Sequence, residues 1–312
     1  MNFQNREIDI LCIGETLIDF IGQQPGASLA NTREFHRFLG GSPTNVAVNS
    51  SRLGLKTELI ATVGNDGFGK FVIKSLKEEG VQTNYLKTEK NYRTSVIFVS
   101  RTDGTPEFVP FRAADFQIDE DQIHKRTLLN SKVFHTTCFA LSRDPARTTI
   151  LKKAQEAFES GCQLSIDVNY ARKLWESREA ALKAIRSYCR FDPLVKISED
   201  DMNRLFERKV SHKEVFDFFG QAGVKTVCLT LGSEGVKLAL NGKEEVYRPA
   251  LKVDKIQDAT GAGDAFWSGF LSAYIDNNSL EKSLEVGQHL AVLKLQNLGR
   301  LPQNIKIITK LL

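Results

Sequence analysis

The stretch Asp258-Ala-Thr-Gly-Ala-Gly-Asp-Ala-Phe-Trp-Ser-Gly-Phe-Leu271 places a run of small residues directly before an apolar helical pattern. Gly261, Ala262 and Gly263 form that run. A small-residue turn that opens a helix exposes unpaired backbone N–H groups at the positive end of the helix dipole, which suits a transferring phosphoryl group. Asp264 follows in the first turn, where its carboxylate could accept the proton of an attacking hydroxyl. An ordinary helix start with an acidic first turn explains the same pattern, so this stretch alone leaves both interpretations open.

A second glycine-rich junction lies nearer the amino terminus, at Gly40-Gly-Ser-Pro-Thr-Asn-Val-Ala47. Its two glycines allow the backbone to approach a ligand closely, and Pro43 suits the first turn of a following helix. Asn45 offers both a donor and an acceptor, as recognition of a polyol requires. In isolation, a simple loop-to-helix junction is the favoured interpretation of this stretch.

Short apolar runs alternate with longer stretches of helical period along most of the chain. The runs that read as buried strands are 8–13, 59–63, 132–136, 163–168, 194–197 and 226–231. The clearest helical stretches are 68–79, 145–160, 177–188, 212–222, 262–275 and 280–295. This alternation predicts an α/β protein with a mostly parallel sheet covered by helices on both faces. Two strand-like segments, about 17–38 and 94–111, interrupt the alternation; the second contains a hairpin turn at Asp103-Gly104, and together they predict a small β-sheet flap.

Composition excludes several classes of protein. The chain has 312 residues, of which 41% are hydrophobic and 26% charged, as is typical of a globular protein. The net charge is +4, and the basic residues are spread along the sequence, whereas nucleic-acid binders concentrate them in a patch. The five cysteines are odd in number and form no C-x-x-C pair, which argues against a disulfide framework or a zinc ribbon. No apolar run is long enough for a membrane span or a signal-peptide core, so we expect a cytoplasmic protein that binds neither nucleic acid nor membrane.

Taken together, the two glycine-rich stretches resemble the paired signatures of the PfkB (ribokinase-like) carbohydrate kinase family. The resemblance covers nearly the whole chain and includes Gly64-Asn-Asp-Gly-Phe-Gly69, Lys196-Ile-Ser-Glu-Asp-Asp201 and Thr230-Leu-Gly-Ser-Glu-Gly235. It implies a three-layer α/β/α sandwich with a small β-sheet lid, in a single domain spanning 1–312 with the two flap segments inserted as the lid. It also implies that the γ-phosphate of ATP is transferred to a sugar hydroxyl, with Mg²⁺ on the nucleotide and a monovalent cation such as K⁺.

The resemblance assigns a role to each matching position. Asp264 resembles the catalytic base, and Gly261, Ala262 and Gly263 resemble the anion hole for the transferred phosphate. The positions that resemble sugar contacts are Asp19, Gly40, Gly41, Asn45 and Asn169. Arg112, just after the lid hairpin, is a further candidate that could bind an anion or a hydroxyl, and a solvated arginine at a hairpin end explains it as well. The positions that resemble ATP contacts are Lys196, Ser198, Thr230, Gly232 and Gly235. Asp258 and Thr260 resemble ligands of the monovalent cation.

Two motifs depart from the family pattern. The Asn-x-x-Glu motif, which is tied to the Mg²⁺ and phosphate water network, appears as Ser198-Glu-Asp-Asp201, so Asp201 keeps the carboxylate on a shorter side chain. A Ser at the first position is common in fructokinase-like members. The Asp-Pro-Asn-x-Arg motif appears as Asp167-Val-Asn-Tyr-Ala-Arg172, with its Arg displaced by one residue.

The resemblance implies an ATP-dependent sugar kinase that acts on a primary hydroxyl, and the opening Gly14-Glu-Thr-Leu-Ile-Asp19 run looks most like fructokinases. The Gly41-Ser-Pro-Thr-Asn45 run also resembles 2-keto-3-deoxygluconate and 5-dehydro-2-deoxygluconate kinases, whose substrates carry acidic or keto groups that Arg112 could bind. A non-catalytic sugar-binding regulator on the same fold is a rival from another class, and a nucleoside kinase is a third possibility. Unpaired strand edges tend to find partners, so we expect the lid to offer a homodimer surface.

Overall fold

The computed structural model describes residues 5–101, 107–297, 299–302 and 305. Its strands are β1 (Ile8–Ile13), β2 (Leu17–Gly22), β3 (Phe35–Gly40), β4 (Thr57–Gly64), β5 (Leu86–Glu89), β6 (Val96–Val99), β7 (Phe108–Phe111), β8 (Ser131–Thr137), β9 (Gln163–Asp167), β10 (Leu194–Ser198), β11 (Thr226–Thr230), β12 (Val236–Leu240) and β13 (Lys243–Arg248). Its helices are α1 (Ser42–Arg52), α2 (Gly67–Glu78), α3 (Lys125–Leu129), α4 (Ala146–Glu159), α5 (Arg178–Cys189), α6 (Glu199–Phe206), α7 (His212–Gln221), α8 (Ala262–Ile275) and α9 (Leu280–Leu295). In this part of the chain, no helix combines the length and the apolar character that crossing a membrane requires.

The central sheet has nine strands in the order β13-β12-β11-β10-β9-β8-β1-β4-β5. Every neighbouring pair from β11 to β5 is parallel, while β12 and β13 add an antiparallel hairpin at one edge. The mostly parallel sheet predicted from the alternation is therefore confirmed. Because parallel strands are joined through helices on the faces of the sheet, their carboxyl ends meet at one edge.

Strand β1 shows how the sheet is covered on both faces. Leu11 and Ile13 pack into one apolar cluster, and the alternate residues Ile10 and Cys12 pack into another. The first cluster contains residues of α4, α5, α6 and α7, and the second contains residues of α1, α2 and α8. Since successive side chains of a strand point to opposite faces, the two clusters are the two helix–sheet interfaces of a three-layer α/β/α fold, as predicted.

A separate four-stranded sheet, in the order β3-β2-β6-β7, is built from the two interrupting segments. We call it the lid sheet. Its presence confirms the predicted small sheet, although the Asp103-Gly104 turn lies outside the described residues. In the lid sheet Asp19 pairs with Ile97, and the next residues, Phe20 and Phe98, pair on the opposite face.

The predicted central strands agree with the structure to within about two residues at each end. The β12–β13 hairpin and the short strand β5 were not predicted. Strand β13 is mostly exposed and reads Lys-Glu-Glu-Val-Tyr-Arg. Its sequence therefore lacks the apolar run by which a buried strand is identified.

Candidate active site

Asp264 lies in the first turn of α8 and is buried, with 9% of its surface exposed. Both of its carboxylate oxygens accept hydrogen bonds from the first turn of α1. The Ser42 hydroxyl donates to Oδ1 at 2.6 Å, and the Asn45 amide donates to Oδ2 at 2.8 Å. The two glycine-rich stretches of the sequence therefore meet in space, with the carboxylate held between two helix amino termini.

The turn before Asp264 has the backbone geometry that its small residues permit. Gly261 has a positive φ of 75°, which favours glycine. The N–H groups of Gly263 and Asp264 have no hydrogen-bond acceptor within the described part of the chain. A Cβ atom at Gly263 would lie 2.8 Å from the Lys196 ammonium, so that charge sits directly beside the turn. Free N–H groups and an adjacent ammonium form an anion-binding arrangement.

Lys196 is held in a buried ion pair. Its Nζ lies 2.7 Å from Oδ2 of Asp167, on the neighbouring strand β9, and the two side chains are 7% and 1% exposed. Burial disfavours the charge on Lys196, but the carboxylates of Asp167, Asp201 and Asp264 together outweigh that effect and raise the pKa of the lysine. The other oxygen of Asp167, Oδ1, is buried and has no hydrogen-bond partner in the described structure. It is an acceptor with capacity left for a ligand or a water.

Glu15 completes the buried cluster and was not predicted as a site residue. Its carboxyl accepts hydrogen bonds from the Ser42 backbone N–H at 3.1 Å and from the Thr137 hydroxyl at 2.9 Å. Burial raises its pKa to about 8. Glu15 lies in the Gly14–Asp19 run. Its position just after the end of β1 is the feature of the sequence that could have identified it as a site residue. It fixes the start of α1 and thereby the two donors to Asp264.

Asp19, Gly40 and Gly41 lie together where β2 and β3 approach α1. The Asp19 carboxylate packs on the backbone of Gly40, because a Cβ there would lie 2.2 Å from Oδ2. Gly41 has a φ of 102°, and a Cβ would lie 2.3 Å from the carbonyl oxygen of Glu15. Burial raises the pKa of Asp19 to about 7, with the nearby Asp264 carboxylate adding to the effect. The glycines therefore allow Asp19 to lie close to Asp264.

Arg112 follows the lid sheet, and its side chain is 2% exposed. Its guanidinium pairs with Asp115 at 2.6 Å, donates to the Ser142 hydroxyl and stacks over the Phe139 ring at 4.3 Å. Its charge also opposes the rise in the pKa of Glu15. Arg112 is thus near the buried cluster, but its hydrogen bonds go to protein groups.

The predicted nucleotide contacts lie along the carboxyl edge of the sheet. Ser198 and Thr230 pair directly, since β10 and β11 are parallel neighbours. Gly232 and Gly235 follow Thr230 in a turn with φ values of 58° and 118°. Asn169 lies beyond the end of β9 on the same edge. The structure therefore places these residues along one edge, and Lys196, on the neighbouring part of β10, lies beside the turn that precedes Asp264.

Ser198 and Asp201 form a capping box at the start of α6. The Ser198 hydroxyl accepts from the Asp201 N–H at 3.0 Å and donates to its carboxylate. The same carboxylate accepts from the Tyr170 N–H at 3.2 Å and from Arg204 at 2.8 Å. This geometry accounts for the Ser-x-x-Asp form of the motif, because a capping box needs a side-chain hydroxyl and an acid at that spacing.

Asp258 and Thr260 precede the anion-binding turn. The Thr260 N–H donates to Oδ1 of Asp258 at 2.9 Å, and the Lys294 ammonium lies 2.9 Å from Oδ2. Lys294 was not predicted, although it lies on the buried face of α9. In the described residues there is no group of three or more His, Cys, Asp or Glu side chains that could hold a metal ion.

The pKa of Asp264 results from opposing effects. Burial raises it, while the Lys196 charge and the hydrogen bonds from Ser42 and Asn45 lower it, and the net shift is upward from the ordinary value. A carboxylate with a raised pKa is a better proton acceptor than a free one, provided that it is ionised at the working pH.

Comparison with known proteins places this arrangement in a family. Residues 7–304 match the pfkB family carbohydrate kinase. An ATP-dependent 6-phosphofructokinase from Thermoanaerobacterium thermosaccharolyticum is 34% identical over 297 residues, which cover 95% of this chain and 91% of that protein. The structure of a Halothermothrix orenii fructokinase is 36% identical, with a TM-score of 0.80 over 91% of this chain and 98% of that one. An uncharacterized sugar kinase from Pyrococcus horikoshii, in complex with ATP, is 30% identical, with a TM-score of 0.82 over 95% of each chain.

The sequence motifs, the three-layer fold with its lid sheet and the match over most of the chain all indicate the same family. The chain therefore belongs to the PfkB family of carbohydrate kinases, which are phosphotransferases with a hydroxyl acceptor.

Proposed function

We propose that this chain transfers the γ-phosphate of ATP to a primary hydroxyl of a hexose-like sugar, with fructose as the principal candidate. The observation that carries the proposal is the position of Asp264 at the amino terminus of α8, directly after the Gly261–Gly263 turn. One helix start thus offers an ionisable carboxylate and free N–H groups side by side. The Halothermothrix orenii fructokinase, 36% identical, supports fructose as the acceptor.

In the proposed reaction, the sugar hydroxyl oxygen attacks the γ-phosphorus in line, and the bond from that phosphorus to the ADP oxygen breaks. Asp264 takes the hydroxyl proton, and the Gly261–Gly263 turn with Lys196 stabilises the negative charge on the transferring group. Asp19 and Asn45 hold other hydroxyls of the sugar, with Gly40 and Gly41 allowing close contact. The lid sheet covers the sugar and excludes water from the site. Water beside Asp264 would otherwise compete with the sugar hydroxyl for the phosphoryl group.

For ATP we propose contacts from Ser198, Thr230, Gly232 and Gly235, with Lys196 nearest the γ-phosphate. Mg²⁺ bound to the nucleotide would neutralise phosphate charge. Asp201 does not fit a role toward that ion, because its carboxylate already accepts from three neighbouring residues. The buried, unpartnered Oδ1 of Asp167 fits better, as an acceptor for the water shell of the ion.

A second acceptor, fructose 6-phosphate, is favoured by an observation of its own. A cleft of about 770 Å³ between the lid sheet and the start of α2 is lined by Arg37, Arg93 and Arg112. Arg37 stacks on Phe71 at 3.9 Å, and neither Arg37 nor Arg93 forms an ion pair with a described residue. Guanidinium groups bind phosphate well, and the similar Thermoanaerobacterium enzyme is an ATP-dependent 6-phosphofructokinase.

The deciding experiment is an ADP-release assay with Mg-ATP and a panel of acceptors, run beside Asp264→Asn. The panel contains fructose, fructose 6-phosphate, glucose, ribose, 2-keto-3-deoxygluconate, 5-dehydro-2-deoxygluconate and adenosine. Activity on fructose that disappears in the variant supports the first candidate. If fructose 6-phosphate is preferred, Arg93→Ala should raise the KM for it about tenfold or more, with little change for fructose.

The other outcomes separate the remaining alternatives. Activity on either gluconate derivative alone would show that the substrate is an acidic or keto sugar bound near Arg112, and not fructose. If the folded protein binds ATP and sugar but turns over none of the panel, it would act as a sugar-binding regulator. The intact base and turn of this chain favour catalysis, because a regulator has no need of either.

As an alternative use of the lid face that lines the cleft of about 770 Å³, we also propose a homodimer through the lid sheet, which would cover Phe98 and Phe111. Phe98 lies on that face, in aromatic contact with Phe111, which is 59% exposed, and Val109 beside them is 43% exposed. Exposed apolar patches of this kind mark interaction sites. Light scattering should give twice the monomer mass, and Phe111→Glu should give the monomer.

A further inference from the structure

Lys294 is a buried lysine whose ammonium donates hydrogen bonds to three oxygen atoms of the described residues. The residue is 3% exposed, and its Nζ lies 2.9 Å from Oδ2 of Asp258. Two main-chain carbonyl oxygens are close as well, that of Asn297 at 3.4 Å and that of Asp258 at 3.5 Å. Lysine is almost never fully buried unless it is paired, and here the three donors of the ammonium meet three oxygen acceptors.

The Asp258 carboxylate, which Lys294 contacts, accepts three hydrogen bonds. Besides the ammonium, Asp258 accepts the N–H of Thr260 at 2.9 Å on Oδ1 and the N–H of Gly299 at 3.2 Å on Oδ2. The pair therefore joins the end of α9 to the loop before the anion-binding turn by a charged contact.

This geometry does not fit the monovalent cation that the family resemblance implies at Asp258 and Thr260. A bound alkali cation is held by carboxylate and carbonyl oxygens, and here the oxygens of Asp258 and Asn297 face the ammonium. A second positive charge beside Lys294 would be repelled by it and would have to displace it. The lysine ammonium carries the same single positive charge as an alkali cation, and it contacts the same kinds of oxygen atom, a carboxylate and main-chain carbonyls.

We infer that the Lys294 ammonium stands in for the monovalent cation, so that this kinase needs no K⁺. The inference rests on the proposed function. The Lys294 side chain lies beside the turn that precedes Asp264, because its Cε is 3.8 Å from the position of a Cβ on Gly261. Its positive charge helps to lower the pKa of Asp264, as a bound cation at this place would. Lys294 is therefore a positioning residue that orders the turn before the base and adds positive charge to it.

The test compares the wild type with Lys294→Met, which keeps the length of the side chain and removes its charge. Lys282→Met, on the same helix, is the matched control, because Lys282 pairs only with Glu285 near the surface. Turnover is measured in a tetramethylammonium buffer with and without KCl, NH₄Cl or methylammonium chloride at equal ionic strength. Wild type and Lys282→Met should be unaffected by K⁺. Lys294→Met should lose about tenfold or more and should regain activity saturably with K⁺ or an ammonium ion.

A second readout does not depend on turnover. The midpoint of thermal unfolding should rise with K⁺ for Lys294→Met and stay constant for the wild type, since an ion that binds only the folded state stabilises it by mass action. Saturable activation or stabilisation of the wild type by K⁺ would overturn the inference. So would a Lys294→Met protein that neither K⁺ nor an ammonium ion restores or stabilises. If the wild type phosphorylates none of the acceptors, the proposed function fails, and the unfolding midpoints still decide the role of Lys294.

Discussion

Removing the hydroxyl of Ser42 should move the acidic limb of the pH–activity profile to higher pH. That hydroxyl donates to Oδ1 of Asp264 at 2.6 Å, and the two residues are 6% and 9% exposed. A donor to a carboxylate stabilises its ionised form. Ser42→Ala therefore raises a pKa that burial has already raised. Because the proposed base works only when ionised, activity is present above its pKa and is lost as the pH falls through it.

The size of the shift follows from the strength of one buried hydrogen bond. A hydrogen bond to a charged group contributes about 1.5–3 kcal/mol, and a neutral one contributes about 1 kcal/mol. The protonated carboxyl of Asp264 keeps the weaker bond to Ser42, so the difference between the two forms is about 0.5–2 kcal/mol. Since one pKa unit corresponds to about 1.36 kcal/mol, the limb should move by about one pH unit.

The assay is kcat/KM for the sugar at saturating ATP, measured across the acidic limb, because this ratio reports the free enzyme. Ser268→Ala is the matched control. Its hydroxyl is also buried and also bonds to Asp264, but to the main-chain oxygen, at 2.7 Å. It should leave the limb in place. The reasoning is refuted if Ser42→Ala leaves the limb unmoved, or if both variants move it equally.

Three further substitutions test other parts of the site. Asp264→Asn should fold like the wild type and lower kcat by about 10²–10⁴-fold, and near-normal turnover would contradict a base at this position. Lys196→Met leaves Asp167 buried without its partner, so urea unfolding should show a loss of about 3–5 kcal/mol together with a higher KM for ATP; unchanged stability would contradict the buried pair. Gly40→Ala places a Cβ 2.2 Å from the Asp19 carboxylate and should raise the KM for the sugar while sparing that for ATP, whereas equal changes in both would argue against a sugar contact.

The parts of the site that lie in one stretch of chain were predicted from the sequence. Gly261 and Asp264 belong to a single helix start, and the small residues and the acid stand next to each other. Asn45 was singled out for the same reason, from the loop before α1. In each case the local chain carries the signal, because a positive φ or a helix amino terminus constrains neighbouring residues directly.

Contacts between distant stretches were not predicted. The hydrogen bond from Ser42 to Asp264 joins residues that are 222 positions apart, and the pattern of residues in either stretch does not predict it. Lys294 gave a weak signal: it follows Val286, Gly287 and Leu290 at the spacing of the buried face of α9. A charged residue on such a face needs a partner, yet the sequence alone does not show that Asp258 is the one.

Two of the acids around the site are held in ion pairs with buried lysines. Asp167 is matched by Lys196, and Asp258 by Lys294. The Asp19 carboxylate accepts no hydrogen bond from a described residue, and its removal from water raises the pKa of Asp19 to about 7. A carboxylate in that state gains most from the hydroxyl donors of a bound polyol, which stabilise its ionised form without bringing a competing charge. Lys196 and Lys294 thus supply fixed positive charges beside the turn at Gly261–Gly263, whereas the Asp19 carboxylate is left open to the proposed sugar.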